Sequence, residues 1–298
     1  MANNYEDRRT PQIPATDKKE LPSHIQAQLA SAGRETDTAG QAWQGRNLGE
    51  GTSHVHQFSG DDGVTDDHVQ QAFDAFVRGE IAEEQVVDAL RTARIFAPVV
   101  AEVSHAVIGE DGLVSDKEAD MALVSMQAPD GRKALPLFTA ATSLTEWHDA
   151  ARPVAADMRK TSLSAVEDEN QLLVINPGAE LTFVVRRPAV WAIAKDEAWI
   201  PSYKNPAVLE GLKKLVAPIA EVVDVRIAAG QGVATMTRAG QRLAGGGSGP
   251  ELNITLVLVP GLTQSQLNDA VQSFQQLLAS DRFLSQSIDS VQLSLAAA

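Results

Sequence analysis

Residues 119–139 read ADMALVSMQAPDGRKALPLFT, and this stretch decides the fold class. Two β-rich runs enclose the turn Pro129–Asp130–Gly131, in which proline presets φ and glycine accepts a positive φ. The pattern predicts a β-hairpin with strands at Met121–Met126 and Lys133–Thr139. Few of these side chains are types that catalyse reactions, so the stretch says more about the fold than about chemistry.

A similar β pattern, interrupted by short helices, continues after the hairpin. Ser143–Leu144–Thr145–Glu146 has the form of a capping box and predicts the start of a helix. Leu172–Ile175 and Leu181–Val185 predict a second hairpin. Pro188 lacks an N–H, so we expect it at a strand edge or bulge, with Val190–Ala194 continuing the strand.

The C-terminal third has its own alternation of helices and strands. Asn205–Pro206 and Thr263–Gln264–Ser265–Gln266 are typical of helix starts. Leu252–Val259 and Ile288–Leu295 predict strands. Gly230–Gly249 is rich in glycine and weakly patterned, so we expect a mobile connection there.

Together these patterns predict an α+β protein of two packed domains, each a mixed sheet with helices. Residues 64–200 form the first domain, which opens with a helical hairpin and a strand at Ile95–Val103. Residues 203–298 form a smaller second domain. Residues 1–63 are polar, with scattered proline and glycine, and are expected to be a disordered acidic-polar tail. Residues 104–118 are expected to form an exposed loop.

Composition excludes several classes of function. The 298 residues contain no cysteine, which rules out disulfides, thiol nucleophiles and cysteine-ligated zinc and fits a cytoplasmic protein. No apolar run is long enough to span a membrane, and no secretory signal is recognisable at the N-terminus. The net charge of −14 argues against nucleic acid as a partner.

The negative charge is concentrated between Asp61 and Asp120. Fifteen Asp or Glu and four Lys or Arg give this stretch a net charge of −11. One interpretation is a solvated, solubilising face, and the other is a docking surface for a basic protein partner.

The central strands resemble the N-terminal domain of the SseB family. The resemblance rests on Met121–Met126, the Pro–Asp–Gly turn, the return strand ending in Leu135–Thr139, and Thr182–Trp191, which is similar to actinobacterial versions of the domain. It covers about residues 65–200, and residues 205–298 look like the family's companion C-terminal domain. The resemblance implies a fold but no catalytic residues, because none are established for the family.

Known catalytic and ligand-binding motifs are missing from the sequence. His148 is the one histidine in the β-rich segment, so few residues are available to build a nucleophile–histidine triad. Gly245–Gly249 is followed by a strand and lacks the Lys–Ser/Thr pair of a phosphate-binding loop. We therefore expect no catalytic residues, no cofactor and no metal site.

Arg186–Arg187–Pro188 is the most suggestive polar feature. In a strand the two arginines point to opposite faces, so one of them is expected to meet an acidic partner inside the protein. That arrangement is either a structural ion pair or a contact for an anion or a protein partner. Trp191 and Phe138 are the expected neighbouring anchors, and Trp147 is a further candidate contact.

The leading hypothesis is a cytoplasmic, non-enzymatic binding or regulatory protein that acts through protein–protein contacts. The alternative is a sensor or enzyme for a small molecule, an amino acid or another carboxylate, held by Arg186 or Arg187. A third possibility is self-assembly through exposed strand edges, one of them marked by Pro188.

Overall fold

The computed structural model describes residues 58, 60–103 and 119–298, which all belong to one compact unit. Most of the predicted tail and the predicted loop at 104–118 therefore lie outside the described residues. Residues 60–63, which the sequence assigned to the tail, contribute to the fold, because Asp61 lies 2.7 Å from Arg94 Nε in an ion pair.

Eight α-helices occur among the described residues. They are α1 (Asp67–Val77), α2 (Glu83–Arg91), α3 (Ala141–Trp147), α4 (Met158–Glu167), α5 (Arg187–Lys195), α6 (Pro206–Val216), α7 (Gln264–Ser280) and α8 (Arg282–Ser287). As predicted, Asn205 Oδ1 caps α6 by accepting a hydrogen bond from Ala207 N, and Thr263 Oγ1 caps α7 by accepting one from Gln266 N.

The described strands form four small sheets. They are β1 (Arg94–Val103), β2 (Ala119–Leu123), β3 (Met126–Gln127), β4 (Lys133–Leu137), β5 (Arg152–Asp157), β6 (Leu172–Ile175), β7 (Phe183–Val185), β8 (Val222–Ala229), β9 (Ala234–Met236), β10 (Arg242–Gly246), β11 (Leu252–Leu258) and β12 (Val291–Ala297). The strand orders are β2-β1-β5, β3-β4-β6-β7, β10-β9 and β12-β11-β8. Parallel and antiparallel pairs coexist, which confirms the α+β class with mixed sheets.

Both predicted hairpins are present, and the first is shorter than expected. Met126 pairs with Ala134 across the Pro–Asp–Gly turn, and Ile175 pairs with Phe183 in the second hairpin. The predicted strand over 121–126 is interrupted, because β2 pairs with β1 in a different sheet.

The sequence placed Arg186–Pro188 at a strand edge, and this prediction is wrong. Arg186 is the N-cap of α5, and Pro188 lies in the first turn, where a missing N–H leaves no hydrogen bond unmade. Ala189, Val190 and Ile193 are buried along one face at helical spacing. Their packing outweighs the β propensity on which the prediction rested.

The capping box at Ser143 is also absent, because α3 begins two residues earlier. Ala140 is the N-cap, and it offers no side-chain acceptor. Ala141 N instead donates to Gly63 O at 2.8 Å. A tertiary contact thus replaces the local cap that the sequence suggested.

Gly230–Gly249 was predicted to be a mobile connection, and the structure contradicts this. The segment contains β9 and β10. A Cβ on Gly232 would lie 2.1 Å from the carbonyl carbon of Gly249, so glycine is required for this close backbone approach. The glycines in this segment therefore allow close backbone packing and do not indicate a mobile connection.

Two hydrophobic clusters account for most of the buried apolar residues. The first includes Phe183, whose ring meets Phe73 and Phe76 edge-on at 5.9 and 5.6 Å. The second lies between the helices and sheet of the C-terminal segment and contains Leu256 and Phe274. The Arg186 side chain, which is 1% exposed, joins these two parts of the unit through the contacts described below.

Candidate functional site

A buried charge network surrounds the carboxylate of Asp289, whose side chain is fully buried. Arg132 Nη1 donates to both Asp289 oxygens at 2.8 and 2.9 Å. Arg186 Nη1 donates to Oδ2 at 3.3 Å, and Ser290 Oγ donates to the same oxygen at 3.1 Å. Two guanidinium groups thus share one desolvated carboxylate.

Arg186 reaches Asp289 from the N-cap of α5 and also binds the glycine-rich segment. Its Nη1 donates to Gly249 O at 2.7 Å, and its Nη2 donates to Gly232 O at 2.9 Å. Because glycine at both positions lets the two backbone segments approach closely, one planar guanidinium can contact both carbonyls. The sequence left a structural ion pair open as one role for an arginine here, and Arg186 makes such a pair.

Glu251 extends the network on its far side. Its Oε2 accepts from Asp289 N at 2.9 Å, and its Oε1 accepts from Ser202 N at 3.1 Å. Burial raises the pKa of Glu251 above the ordinary value of 4.5, although these hydrogen bonds and the charge of Arg186 oppose the shift. The site therefore favours the protonated carboxyl more than water does.

Arg187 joins the network through its backbone N–H, which donates to Asp289 Oδ1 at 3.4 Å, and its side chain lies over Trp191. Its guanidinium carbon is 5.5 Å from the Trp191 ring centroid, a cation–π distance. Its Nη2 donates to Ser285 O and Ile288 O at 2.9 and 3.1 Å. Arg187 makes no ion pair among the described residues, and its Nε has no hydrogen-bond partner there.

A groove of about 710 Å³ opens to solvent beside Arg187 and Trp191. We call it the Trp191 groove, and its lining residues include Asp130, Arg132, Lys133, Glu169, Asn170, Gln171, Arg187 and Trp191. Three cationic side chains thus face two carboxylates, and Asp130 is already paired with Arg132 at 2.7 Å. Lys133 and Arg187 make no ion pair among the described residues, which stands out on a chain whose net charge is −14.

The lining residue Arg132 links the groove to the buried network, because it pairs with both Asp130 and Asp289. Burial lowers its pKa, but the charge of Asp289 and the hydrogen bonds to Asp289 and Asp130 raise the pKa by more, so the pKa of Arg132 lies above its ordinary value. Hydrogen bonds from Arg132 lower the pKa of Asp130 despite some burial of that carboxyl. Both groups remain charged at neutral pH.

Phe138 and Trp147 do not belong to this groove. Their rings lie 5.4 Å apart in a separate cluster with Phe96 and Leu144, and Phe138 is completely buried. Of the five predicted contact residues, the structure brings Arg187 and Trp191 together at the surface. Arg186 lies behind them in the network, Phe138 is buried in the separate cluster, and Trp147 is partly buried against that cluster.

Arg132, Lys133, Asn170 and Asp289 were missed by the sequence reasoning. Arg132 and Lys133 were assigned only to the hairpin, and Asp289 was placed in a strand without a role. The distance along the chain between Arg132 and Asp289, 157 residues, explains why no local pattern links them.

The part of the chain that the structure describes contains no group of three or more His, Asp or Glu side chains arranged to hold a metal ion. None of its helices combines the length and the hydrophobicity needed to cross a bilayer.

These features define an α+β protein with a surface groove built beside a buried arginine–carboxylate network. Residues 69–192 match the family model of the SseB protein N-terminal domain, so this part of the chain carries a domain of the SseB type. The matched residues carry Arg132, Lys133, Arg186, Arg187 and Trp191, whereas Asp289 lies outside the match. Neither a curated protein nor a solved structure gives a match.

Proposed function

We propose that this chain is a non-enzymatic cytoplasmic binding protein that docks an acidic segment of a protein partner in the Trp191 groove. The pairing of Arg187 with the Trp191 ring carries the proposal. The groove presents this cation beside an aromatic face, and Arg and Trp are the residue types that dominate protein interfaces.

The shape and charge of the groove fit a bound segment of a protein chain better than an enclosed small ligand. The groove is open to solvent and about as polar as apolar, whereas small-ligand pockets are mostly apolar and enclose the ligand. Lys133 adds a second cation, exposed at the rim. An acidic segment would gain both charges without disturbing the Asp289 network.

A second surface supports the prediction of a basic partner. Asp62, Asp67 and Asp74 lie exposed on or next to α1 and make no ion pair among the described residues. A partner with basic and acidic patches would complement both surfaces, and opposite charges on the two surfaces would fix its orientation.

Affinity capture with quantitative mass spectrometry tests the groove assignment. The double variant Lys133→Glu with Trp191→Ala removes one cation and the aromatic face, and neither residue lies in the Asp289 network. Lys213→Glu is the matched control, since Lys213 is exposed on α6, away from the groove lining. The proposal expects at least a tenfold loss of the captured partner with the double variant and none with the control.

The alternative function is binding of an amino acid or a 2-oxo acid through Arg187. The observation in its favour is the groove volume, which falls within the range of small-ligand sites. A bound ligand raises the melting temperature by mass action. A thermal-shift screen of amino acids and 2-oxo acids that yields a shift abolished by Arg187→Ala supports this alternative, and a flat screen rejects it.

A further inference from the structure

The outer edge of β12 has no partner strand among the residues that the structure describes. On its inner side β12 pairs in parallel with β11, where Leu252 N donates to Ser290 O and Ala298 N donates to Leu258 O. Backbone groups alternate in direction along a strand. The even-numbered residues therefore bond to β11, and the N–H and C=O groups that face outward belong to Val291, Leu293, Leu295 and Ala297.

The side chains of the same four residues form an apolar row on the core side of the sheet. Leu293 packs against the C-terminal core, while Val291 and Leu295 remain 37% and 48% exposed. A groove of about 410 Å³ lies beside the start of this row, at Val291 and Leu293, and its lining also includes Phe274 and Leu278. The hydrophobic face is thus incompletely covered at the open edge.

The strand β12 itself lacks charge, although Arg187 and Asp289 also line the neighbouring groove. β12 reads VQLSLAA, and the 17 residues of the neighbouring helix α7 contain one charged side chain, Asp269. Edge strands of monomers are usually protected by charges, proline or bulges, and β12 contains none of these. β8, at the other edge of the same sheet, contains Asp224 and Arg226 and pairs irregularly near Val257.

We propose that β12 pairs antiparallel with β12 of a second copy of this chain, which makes one continuous six-stranded sheet. A second copy is the occupant that the symmetry of the edge favours, because an antiparallel copy of β12 sets uncharged side chains opposite one another and no like charges meet there. A twofold axis between the two Ser294 residues pairs Leu293 with the partner subunit's Leu295. That register keeps both apolar rows on one face and forms about eight backbone hydrogen bonds.

Light scattering coupled to size exclusion tests the proposal with the full chain, injected at about 10 and 200 μM. The wild-type protein is expected to give twice the mass of one chain. Leu295→Lys places a charge on the row, and Leu295→Pro removes an outward N–H while the bonds to β11 remain. Both variants are expected to give the mass of one chain with an unchanged circular dichroism spectrum.

Val223→Lys is the matched control, because Val223 is a comparably exposed aliphatic residue, 53% exposed, on β8. This variant is expected to stay dimeric. A wild-type protein with the mass of one chain at both concentrations overturns the proposal. A dimer that survives both Leu295 variants overturns the assignment to β12. The proposal does not rest on the Trp191 groove, so either can fail without the other.

Discussion

Asp289 Oδ2 lies 3.3 Å from Arg186 Nη1, although 103 residues separate the two in the sequence. Both side chains are almost completely buried, and Arg132 donates to the same carboxylate. The pair joins the SseB domain to the C-terminal segment and lies behind the surface that we propose for binding.

Asp289→Asn is expected to lower the free energy of unfolding by about 3 kcal/mol, because it removes the carboxylate paired with the buried Arg186 and one of the two carboxylates paired with Arg132. Urea denaturation measures the change. Asp224→Asn, at an exposed carboxylate near Arg226, is the control and is expected to change stability by less than about 0.5 kcal/mol. Equal effects of the two substitutions would show that the buried network contributes no more to stability than the exposed pair does.

Gly232→Ala is expected to cost about 3 kcal/mol or more, since the new Cβ would overlap the backbone of Gly249. Gly261→Ala separates this steric effect from a conformational one. Gly261 has φ +84° and open space around it, so only about 1–2 kcal/mol should be lost there. Denaturation midpoints compare the two, and a Gly232 variant as stable as wild type would contradict the close packing.

The raised pKa of Glu251 predicts a specific pH dependence. Above pH 4.5 the unfolded chain loses the Glu251 proton more readily than the folded protein does, so this carboxyl stabilises the fold less as the pH rises. We expect the unfolding free energy of wild type, relative to Glu251→Gln, to fall between pH 4.5 and neutrality. Urea titrations at several pH values measure this difference, and a constant or rising difference would be inconsistent with the raised pKa.

Thr263→Ala is expected to cost about 1 kcal/mol, because Thr263 Oγ1 accepts a hydrogen bond from Gln266 N at the start of α7. Ser265→Ala, two residues later and exposed, has no capping role and should leave stability nearly unchanged. Thermal unfolding of the two variants distinguishes a cap from a general loss of hydroxyl groups.

The sequence predicted the elements whose signals are local. The Pro–Asp–Gly turn, the caps at Asn205 and Thr263, and most of the strands are encoded by neighbouring residues, and the structure confirms them. The glycine-rich segment was misjudged, because glycine serves both flexible connections and close backbone contacts. Only the tertiary structure shows which of these applies.

The candidate site was predicted in part for a similar reason. Arg186, Arg187 and Trp191 lie close together in the sequence, and charged and aromatic residues can be recognised as contact candidates from the sequence alone. Their β interpretation failed because the same apolar residues also fit one face of a helix. Arg132 and Asp289 complete the site through contacts across 157 residues, and such contacts leave no trace in the local pattern.

Site-specific photo-crosslinking tests the central claim most directly. A photoreactive residue replaces Gln171, an exposed residue of the Trp191 groove, or Lys213 as the control position outside it. The proposed function predicts a covalent adduct with a protein partner in lysate from position 171 and none from position 213. An adduct with that partner from position 213 but not from position 171 would contradict the assignment of the Trp191 groove as the binding surface.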